Sequence, residues 1–372
     1  EDYQKFLEIA QKELPDNIKI WNDLWFSRCI DTNTTALWDY DWWSKNFIWG
    51  IRIDIFPIDY ASKFSIINKI KILILYFFRM IYFSQNIEDE DQIKDMISTT
   101  QDYMKEVNDA PLFIGVDEEG GSIARVADSL GTTKLEDMFS YKDEGTDTAR
   151  ENAKTIAEDI SKYGFNLDFA PVCDVFADES KTAIGNRCYS DSYDGAASLI
   201  ENAVKGFEEG NVMCTLKHFP GLGETDGDTH DGKVSSNVTL EELADAEYLP
   251  FESGIDAGAP CVMVSHLVMS EVDELPASLS YTMVTQELRE ELKFDGVVIT
   301  DAMNMGAITN NYSISEATIM AIKAGVDIVL MPNDLASAVS AVEDAVKDGD
   351  LSEERLDESV LRILSAKYQY IK

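Results

Sequence analysis

The chain has 372 residues, three histidines, five cysteines and a formal net charge of −38 at pH 7. This length exceeds one ordinary hydrophobic core, unless the fold is an α/β barrel or two parts are joined. The negative charge argues against nucleic acid or an anionic membrane surface as a partner, because both require clustered lysine and arginine. The cysteines are scattered without a C-x-x-C pair, so we expect structural thiols and no zinc ribbon or disulfide framework.

The composition changes near residue 80, which suggests two pieces of different origin. All six tryptophans lie in the first 49 residues, and only one of the 21 glycines precedes residue 85. Residues 1–85 carry 11 acidic and 10 basic residues, so almost all the negative charge lies in the remainder. Basic residues interrupt the apolar stretch 64–83, which therefore predicts a buried helix followed by a strand and no membrane span. The first residues do not resemble a secretory leader, and the compartment stays open.

Short apolar runs recur through the second piece, separated by stretches with helical spacing such as 148–164 and 315–325. Such runs are typical of parallel strands buried on both faces, and repeated β-then-α units predict a parallel α/β sheet. A closed (β/α)₈ barrel of the TIM type needs eight strands. Segment 51–59 alternates isoleucines before a helical stretch and could supply a surrogate first unit. The other seven predicted strands are 80–84, 111–117, 166–171, 214–219, 260–266, 296–301 and 327–332.

Polar side chains stand at the ends of these runs, which is where the active sites of βα barrels lie. Lys217 and His218 end the fourth of the seven, and Asp301 follows four apolar residues of the sixth. A carboxylate at a strand end in apolar surroundings can act as a nucleophile or base. Each residue alone has a capping or core explanation, but several on one rim predict a functional site. The other strand-end residues of this kind are Asp117, Asp174 and His266.

The glycine-rich loop 217–232 contains two of the three histidines, His218 and His230. In an extended chain Asp228 and His230 project to the same side, so the carboxylate can orient the imidazole for proton transfer. Residues 226–237 begin like an EF-hand calcium loop, but the positions that need the glycine turn and the bidentate glutamate are filled otherwise. A zinc site of His218, Asp228 and His230 has suitable ligand types, but its spacing matches no strong motif. We therefore expect no metal.

The order of six motifs resembles family 3 of the glycoside hydrolases, and more narrowly its single-domain β-N-acetylglucosaminidases. The resemblance covers about residues 80–372 and implies a TIM-type barrel that contains all the catalytic residues. Two departures leave the role-bearing residues intact: Leu222 replaces a histidine, and Thr229 replaces a serine. The motifs are "IYFSQN", "LFIGVDEEGGSIARV", "FNLDFAPVCDV", "IGNRCYS", "KHFPGLGETDGDTH" and "GVVITDAMNM".

The resemblance implies a role for each matching residue. Asp301 matches the nucleophile, His230 the general acid/base and Asp228 the partner of His230. The implied reaction is retaining hydrolysis of terminal β-linked N-acetylglucosamine (GlcNAc) by double displacement, on peptidoglycan fragments or related glycans, without a cofactor. The residues that would grip the sugar hydroxyls are Asp117, Arg125, Arg187, Lys217 and His218.

Residues 1–79 resemble a different family. "DYQKFLEIAQKELPD" and "GIRIDIFPIDYAS" are similar to the later part of LicD-type phosphocholine transferases. That family's acidic metal- and nucleotide-binding motif is absent, so we expect no transferase activity. Two alternatives to a β-N-acetylglucosaminidase stay open. One is a β-glucosidase of the same hydrolase family, and the other is an inactive sugar-binding protein whose barrel lacks its first unit.

Overall fold

The structure, a computed structural model, describes residues 79–108, 111–176, 184–222, 225, 229 and 232–371. Apart from Arg79, the predicted LicD-like segment 1–79, including the surrogate unit at 51–59, lies outside the described residues. The described part alternates strands and helices, and it is an α/β fold. The strands are β1 (Arg79–Tyr82), β2 (Phe113–Val116), β3 (Glu118–Gly120), β4 (Ile123–Ala124), β5 (Leu167–Asp168), β6 (Thr215–Phe219), β7 (Ser235–Ser236), β8 (Cys261–Val264), β9 (Val268–Met269) and β10 (Val297–Thr300).

The helices occupy the stretches between the strands. A π-helix, Thr282–Glu291, lies between β9 and β10, and a 3-10 turn, Gly185–Arg187, lies between β5 and β6. Among the described helices, none is long and apolar enough to cross a membrane. The α-helices are α1 (Glu90–Asn108), α2 (Arg125–Leu130), α3 (Tyr141–Glu144), α4 (Thr146–Ser161), α5 (Tyr193–Glu209), α6 (Leu240–Asp245), α7 (Tyr248–Asp256), α8 (Gly306–Thr309), α9 (Ile314–Ala324), α10 (Leu335–Lys347) and α11 (Glu353–Tyr370).

Six strands pair in parallel and in chain order, in two groups of three. β1 pairs with β2 and β2 with β5, while β6 pairs with β8 and β8 with β10. Isolated parallel bridges from Leu167 to Met213 and from Val172 to Lys217 connect the two groups. All residues of β2, β6, β8 and β10 are buried, which confirms what the continuous apolar runs predict.

The last predicted strand, 327–332, is not a strand in the structure. Ile328 forms a single parallel bridge with Ile299, and the ladder then stops. The backbone N–H of Leu330 donates to the Thr300 hydroxyl at 2.8 Å, so a side chain takes the place of a backbone carbonyl. Met331 then adopts a left-handed backbone conformation with φ of 47°. An apolar run alone cannot reveal this substitution of hydrogen-bond partners.

The helices form where the sequence spacing predicts them, and side chains cap several of them. The stretches 148–164 and 315–325 correspond to α4 and α9. α4 buries residues three and four apart, including Ala149, Ala153 and Ile156, which is the pattern of one apolar face. Side-chain oxygens accept a hydrogen bond from the first turn of α5, α9, α10 and α11, which satisfies a backbone donor that the helix itself leaves unpaired.

Two glycine positions allow close approaches that a side chain would prevent. A Cβ atom on Gly206 of α5 would overlap the carbonyl oxygen of Arg150, so glycine lets α5 lie directly against α4. Gly121 has φ of 53°, and a Cβ atom there would collide with Asp137. Gly121 belongs to the turn between β3 and β4, which pair antiparallel directly after β2. This tight hairpin brings the two glutamates of "DEEGG" beside the strand ends.

Candidate active site

The carboxyl ends of the parallel strands bring together side chains from distant segments. Asp117 follows β2, Lys217 lies in the last part of β6, and Asp301 follows β10. The Lys217 Nζ atom is 2.9 Å from Asp117 Oδ1. Asp117 Oδ2 accepts from Arg125 Nε at 3.2 Å and lies 3.2 Å from Arg125 Nη2. Three of the five predicted sugar-binding residues are therefore in direct contact.

Arg187, the fourth predicted sugar-binding residue, is connected to these three residues through Glu119. The guanidinium of Arg187 donates to both carboxylate oxygens of Glu119, with Nε and Nη2 each at 2.8 Å. Lys217 Nζ lies 2.5 Å from Glu119 Oε1. The result is one alternating row of charges, which we call the charge row: Arg125, Asp117, Lys217, Glu119 and Arg187.

The centre of the charge row is buried, and the charges there support one another. The side chains of Lys217 and Glu119 are each 2% exposed. Burial alone would raise the pKa of Glu119, but the charges of Lys217 and Arg187 outweigh it and lower the pKa to about 2. Burial likewise opposes the charge of Lys217, yet Glu119 and Asp117 raise its pKa above the ordinary value. Lys217 is therefore a buried, charged donor at neutral pH.

Sequence reasoning missed Glu119, although a signal was present. In an extended chain residues i and i+2 lie on the same side, so Asp117 and Glu119 were a predictable pair. The identity of their cation partners depends on the fold, because Arg187 and Lys217 come from other β/α units.

His218, the fifth predicted binding residue, is oriented by Asp174. The His218 Nδ1 atom is 2.7 Å from Asp174 Oδ2, and the backbone N–H of His218 donates to the same oxygen at 3.3 Å. Asp174 Oδ1 accepts from the backbone N–H of Leu222 at 2.6 Å. Because the carboxylate accepts at Nδ1, the imidazole carries a proton there and its Nε2 atom faces the other way. Asp174 thus links the end of β6 to the beginning of the glycine-rich loop.

Asp301 lies at the rim with its carboxylate held in the ionised form. Its backbone N–H donates to Val264 O at 2.8 Å, and its Oδ1 accepts from the N–H of Ala302 at 2.7 Å. Burial would raise the pKa of Asp301, but the electrostatic influence of His266, then of His218, lowers it below the ordinary value. An ionised carboxylate at this position has the charge that a nucleophile or base requires.

His266 is fully buried and contacts Ala302, the residue after Asp301. Its Nε2 donates to Ala302 O at 3.0 Å, and its Nδ1 lies 2.8 Å from the Ser278 hydroxyl. Ala302 is therefore held at its carbonyl by His266 and at its N–H by the Asp301 carboxylate. His266 is a predicted strand-end residue that supports the rim.

The predicted acid/base pair, Asp228 and His230, lies outside the described residues. Thr229, between them in the sequence, is described and buried. Its carbonyl oxygen accepts from the N–H of Ala307 at 3.1 Å, in the helix α8 that follows Asp301. Among the residues that the structure describes, no three histidine, cysteine or acidic side chains are placed to hold a metal ion.

Two further buried carboxyl groups adjoin the charge row. Glu118 accepts from the N–H groups of Val126 and Ala127 at 2.6 and 3.0 Å, at the start of α2. Its own N–H donates to Asp168 Oδ1 at 2.9 Å. Burial raises the pKa of Glu118 to about 7, and it raises the pKa of Asp168 well above its ordinary value. In contrast to Glu119, neither group forms an ion pair with a cation among the described residues.

Comparison with known proteins decides the family. The model of the glycosyl hydrolase family 3 N-terminal domain matches residues 70–366. The chain belongs to this family. It is 31% identical over 313 residues to β-hexosaminidase A of Pseudoalteromonas piscicida, which covers 77% of the chain and 52% of that protein. It is 30% identical to a β-hexosaminidase of Idiomarina loihiensis, over 71% of the chain and 79% of the relative.

A solved structure of the same family supports the assignment. The family 3 β-N-acetylglucosaminidase from Paenibacillus sp. superimposes with a TM-score of 0.76 and 33% identity, covering 79% of this chain and 56% of that one. This family 3 chain therefore spans about half the length of the Pseudoalteromonas and Paenibacillus relatives.

The raised pKa of Glu118 predicts a pH-dependent contribution to stability. A carboxyl group whose pKa rises on folding stabilises the fold below its unfolded pKa of 4.5 and loses that contribution as pH rises through about 7. The free energy of unfolding of the wild type, relative to Glu118→Gln, should therefore fall by about 2–3 kcal/mol between pH 4.5 and pH 7.5.

Urea denaturation of both proteins across this pH range measures the difference. Glu90→Gln, in an exposed carboxylate of α1, controls for the loss of one negative charge. Parallel stability curves for the wild type and Glu118→Gln would contradict the prediction, because they would show that folding does not raise the pKa of Glu118.

Proposed function

We propose that the protein is a retaining exo-β-N-acetylglucosaminidase that removes terminal β-linked GlcNAc from peptidoglycan fragments or related glycans. The observation that carries the proposal is the ionised carboxylate of Asp301 together with the charge row at the same strand ends. The relatives named β-hexosaminidase and the Paenibacillus β-N-acetylglucosaminidase support an N-acetylhexosamine as the sugar.

The proposal includes a closed (β/α)₈ barrel. Support comes from the six strands that pair in parallel and in chain order, in two groups joined by isolated bridges, and from a seventh position bridged at Ile328. In a closed barrel the first and last strands are neighbours, and the carboxyl ends of all strands lie at one mouth. Residues at the ends of β1, β2, β6 and β10 would therefore face that mouth. The unit needed to close the barrel would come from the segment before Arg79.

In the first step Asp301 attacks the anomeric carbon of the sugar. The bond between that carbon and the glycosidic oxygen breaks, and His230 transfers a proton to the departing oxygen. Water then attacks the glycosyl ester while His230 takes its proton, so that the sugar leaves with its configuration retained. Asp228 would stabilise the imidazolium that forms when His230 acts as the base.

His230 in this role has electrostatic support. Retaining glycosidases usually use a second carboxyl group about 5–5.5 Å from the nucleophile. Histidine acts as the acid in its imidazolium form and as the base in its neutral form, so it never places a second anion beside Asp301. The contact between Thr229 and Ala307 supports the proposed pairing, because it joins the loop that carries Asp228 and His230 to the helix that follows Asp301.

The charge row would bind a neutral sugar through its hydroxyl groups. Charged donors and acceptors fixed in a buried site form stronger hydrogen bonds than neutral ones. Lys217, Arg125 and Arg187 are donors, and Asp117 is an acceptor for an adjacent hydroxyl. His218, held by Asp174, would add a further contact. This chemistry requires no metal or organic cofactor.

The role of Asp301 is tested by Asp301→Asn with 4-nitrophenyl N-acetyl-β-D-glucosaminide as the substrate. Removing the nucleophile should lower kcat by roughly 10⁴-fold while the melting temperature stays close to that of the wild type. Asp295→Asn is the matched control, because Asp295 precedes the same strand β10 and its side chain is 95% exposed.

Equal rates for the wild type and Asp301→Asn would overturn the assignment of the nucleophile. The same assay with the 4-nitrophenyl β-glucoside tests the sugar. A lower kcat/KM for the glucoside is expected, and the opposite order would identify a β-glucosidase.

The role of His230 is tested by His230→Ala with substrates whose leaving groups differ in acidity. A general acid matters most when the leaving oxygen is strongly basic, so a disaccharide should lose roughly 10²–10⁴-fold in kcat/KM. The 2,4-dinitrophenyl glycoside, whose leaving group needs no proton, should lose much less in the first step. Equal losses for both substrates in pre-steady-state measurements would contradict acid catalysis by His230.

A further inference from the structure

Glu119 connects two predicted sugar-binding cations that come from different β/α units. It belongs to β3, Lys217 belongs to β6, and Arg187 ends the 3-10 turn between β5 and β6. Its Oε1 atom is 2.5 Å from Lys217 Nζ and 2.8 Å from Arg187 Nη2, and its Oε2 accepts from Arg187 Nε at 2.8 Å. Without this carboxylate nothing among the described contacts ties Arg187 to Lys217.

Glu119 itself is not placed to contact a sugar. Its side chain is 2% exposed, and both of its oxygens already accept hydrogen bonds from cations. Any effect it has on the reaction must therefore pass through Lys217 and Arg187.

The charge row also depends on Glu119 for its balance. It contains three cations and two carboxylates. Without the Glu119 charge, Lys217 would share Asp117 with Arg125 and would face the positive charge of Arg187. A buried cation without sufficient opposing charge is costly, and it either loses its proton or moves toward water.

We propose that Glu119 is a positioning residue that fixes Lys217 and Arg187 toward the sugar and keeps Lys217 protonated while the sugar is bound. This inference rests on the proposed function, because it assumes that both cations contact the sugar. Glu119 thus converts two separate side chains into one rigid set of donors.

The other groups around Lys217 do not replace Glu119. Asp168 is fully buried, and burial raises its pKa well above the ordinary value, which disfavours the charge that a partner of Lys217 needs. Asp301 interacts with Lys217 only weakly in comparison with His266 and His218. Among the described residues, the charged groups that act on Lys217 include Asp117, Glu119, Asp168, Arg187 and Asp301.

The test is the binding of GlcNAc, which carries no charge, to Glu119→Gln from pH 6 to pH 10. The amide keeps the shape of the side chain and removes its charge. The Kd, measured by NMR titration, should rise roughly 10- to 100-fold at pH 7, because two charge-assisted contacts are lost. With rising pH, affinity should fall at a lower pH in the variant than in the wild type, because Lys217 loses its proton more easily.

Asp327→Asn is the matched control. Asp327 is a fully buried carboxylate paired with Arg289 at 2.6 Å, at the start of the chain segment that bridges β10. Its loss should lower the melting temperature without changing the pH dependence of GlcNAc binding. A purely structural role for Glu119 would make the two variants behave alike.

Glu119→Asp extends the test, and it carries the test if Glu119→Gln does not fold. It keeps the charge but is one methylene shorter, so it should weaken GlcNAc binding while restoring the wild-type pH dependence. Wild-type affinity and pH dependence in Glu119→Gln, or unchanged affinity in Glu119→Asp, would overturn the inference. If the wild type itself neither binds GlcNAc nor cleaves its 4-nitrophenyl glycoside, the proposed function fails instead.

Discussion

The ion pairs of the charge row are the interactions on which the arrangement of this site depends. Asp117 and Glu119 lie two residues apart, and between them they hold cations from three other places in the chain. Burying so many charges is unfavourable unless each has an opposite charge and a hydrogen-bond partner. The row meets this condition only when β2, the β3–β4 hairpin, β6 and the 3-10 turn are all in their folded positions. The positions of the charge-row side chains at the strand ends therefore depend on the correct packing of all these elements.

The environment of each carboxyl group determines its charge, and this separates groups of the same chemical type. Glu119 and Asp301 have lowered pKa values because cations or histidines face them. Glu118 and Asp168 have raised values because burial dominates. Burial therefore favours the protonated form of this second pair close to the charge row, which limits repulsion between neighbouring anions. The strongly negative net charge of the chain thus says little about the charge inside the site.

The sequence predicted the parallel α/β fold and which residues end the strands, because apolar runs and their polar ends are local features. It also placed His218 and Lys217 near the end of the same strand, β6. It could not reveal that Glu119 joins Lys217 to Arg187, since that contact depends on how distant units pack. It also predicted a strand at 327–332, where the structure has a single bridge, because the Leu330 N–H donates to the Thr300 side chain and not to a backbone carbonyl of β10. The positions of Asp228, His230 and the LicD-like segment stay predictions.

In the proposed function, the charge row and Asp301 contact the same bound sugar. A crystal structure of the protein with bound GlcNAc tests this most directly. The account predicts that Lys217, Arg187 and Asp117 contact the sugar hydroxyls, that the anomeric carbon faces the Asp301 carboxylate, and that Glu119 keeps both of its cation partners. A sugar bound away from the strand ends, or one whose anomeric carbon faces away from Asp301, would contradict it.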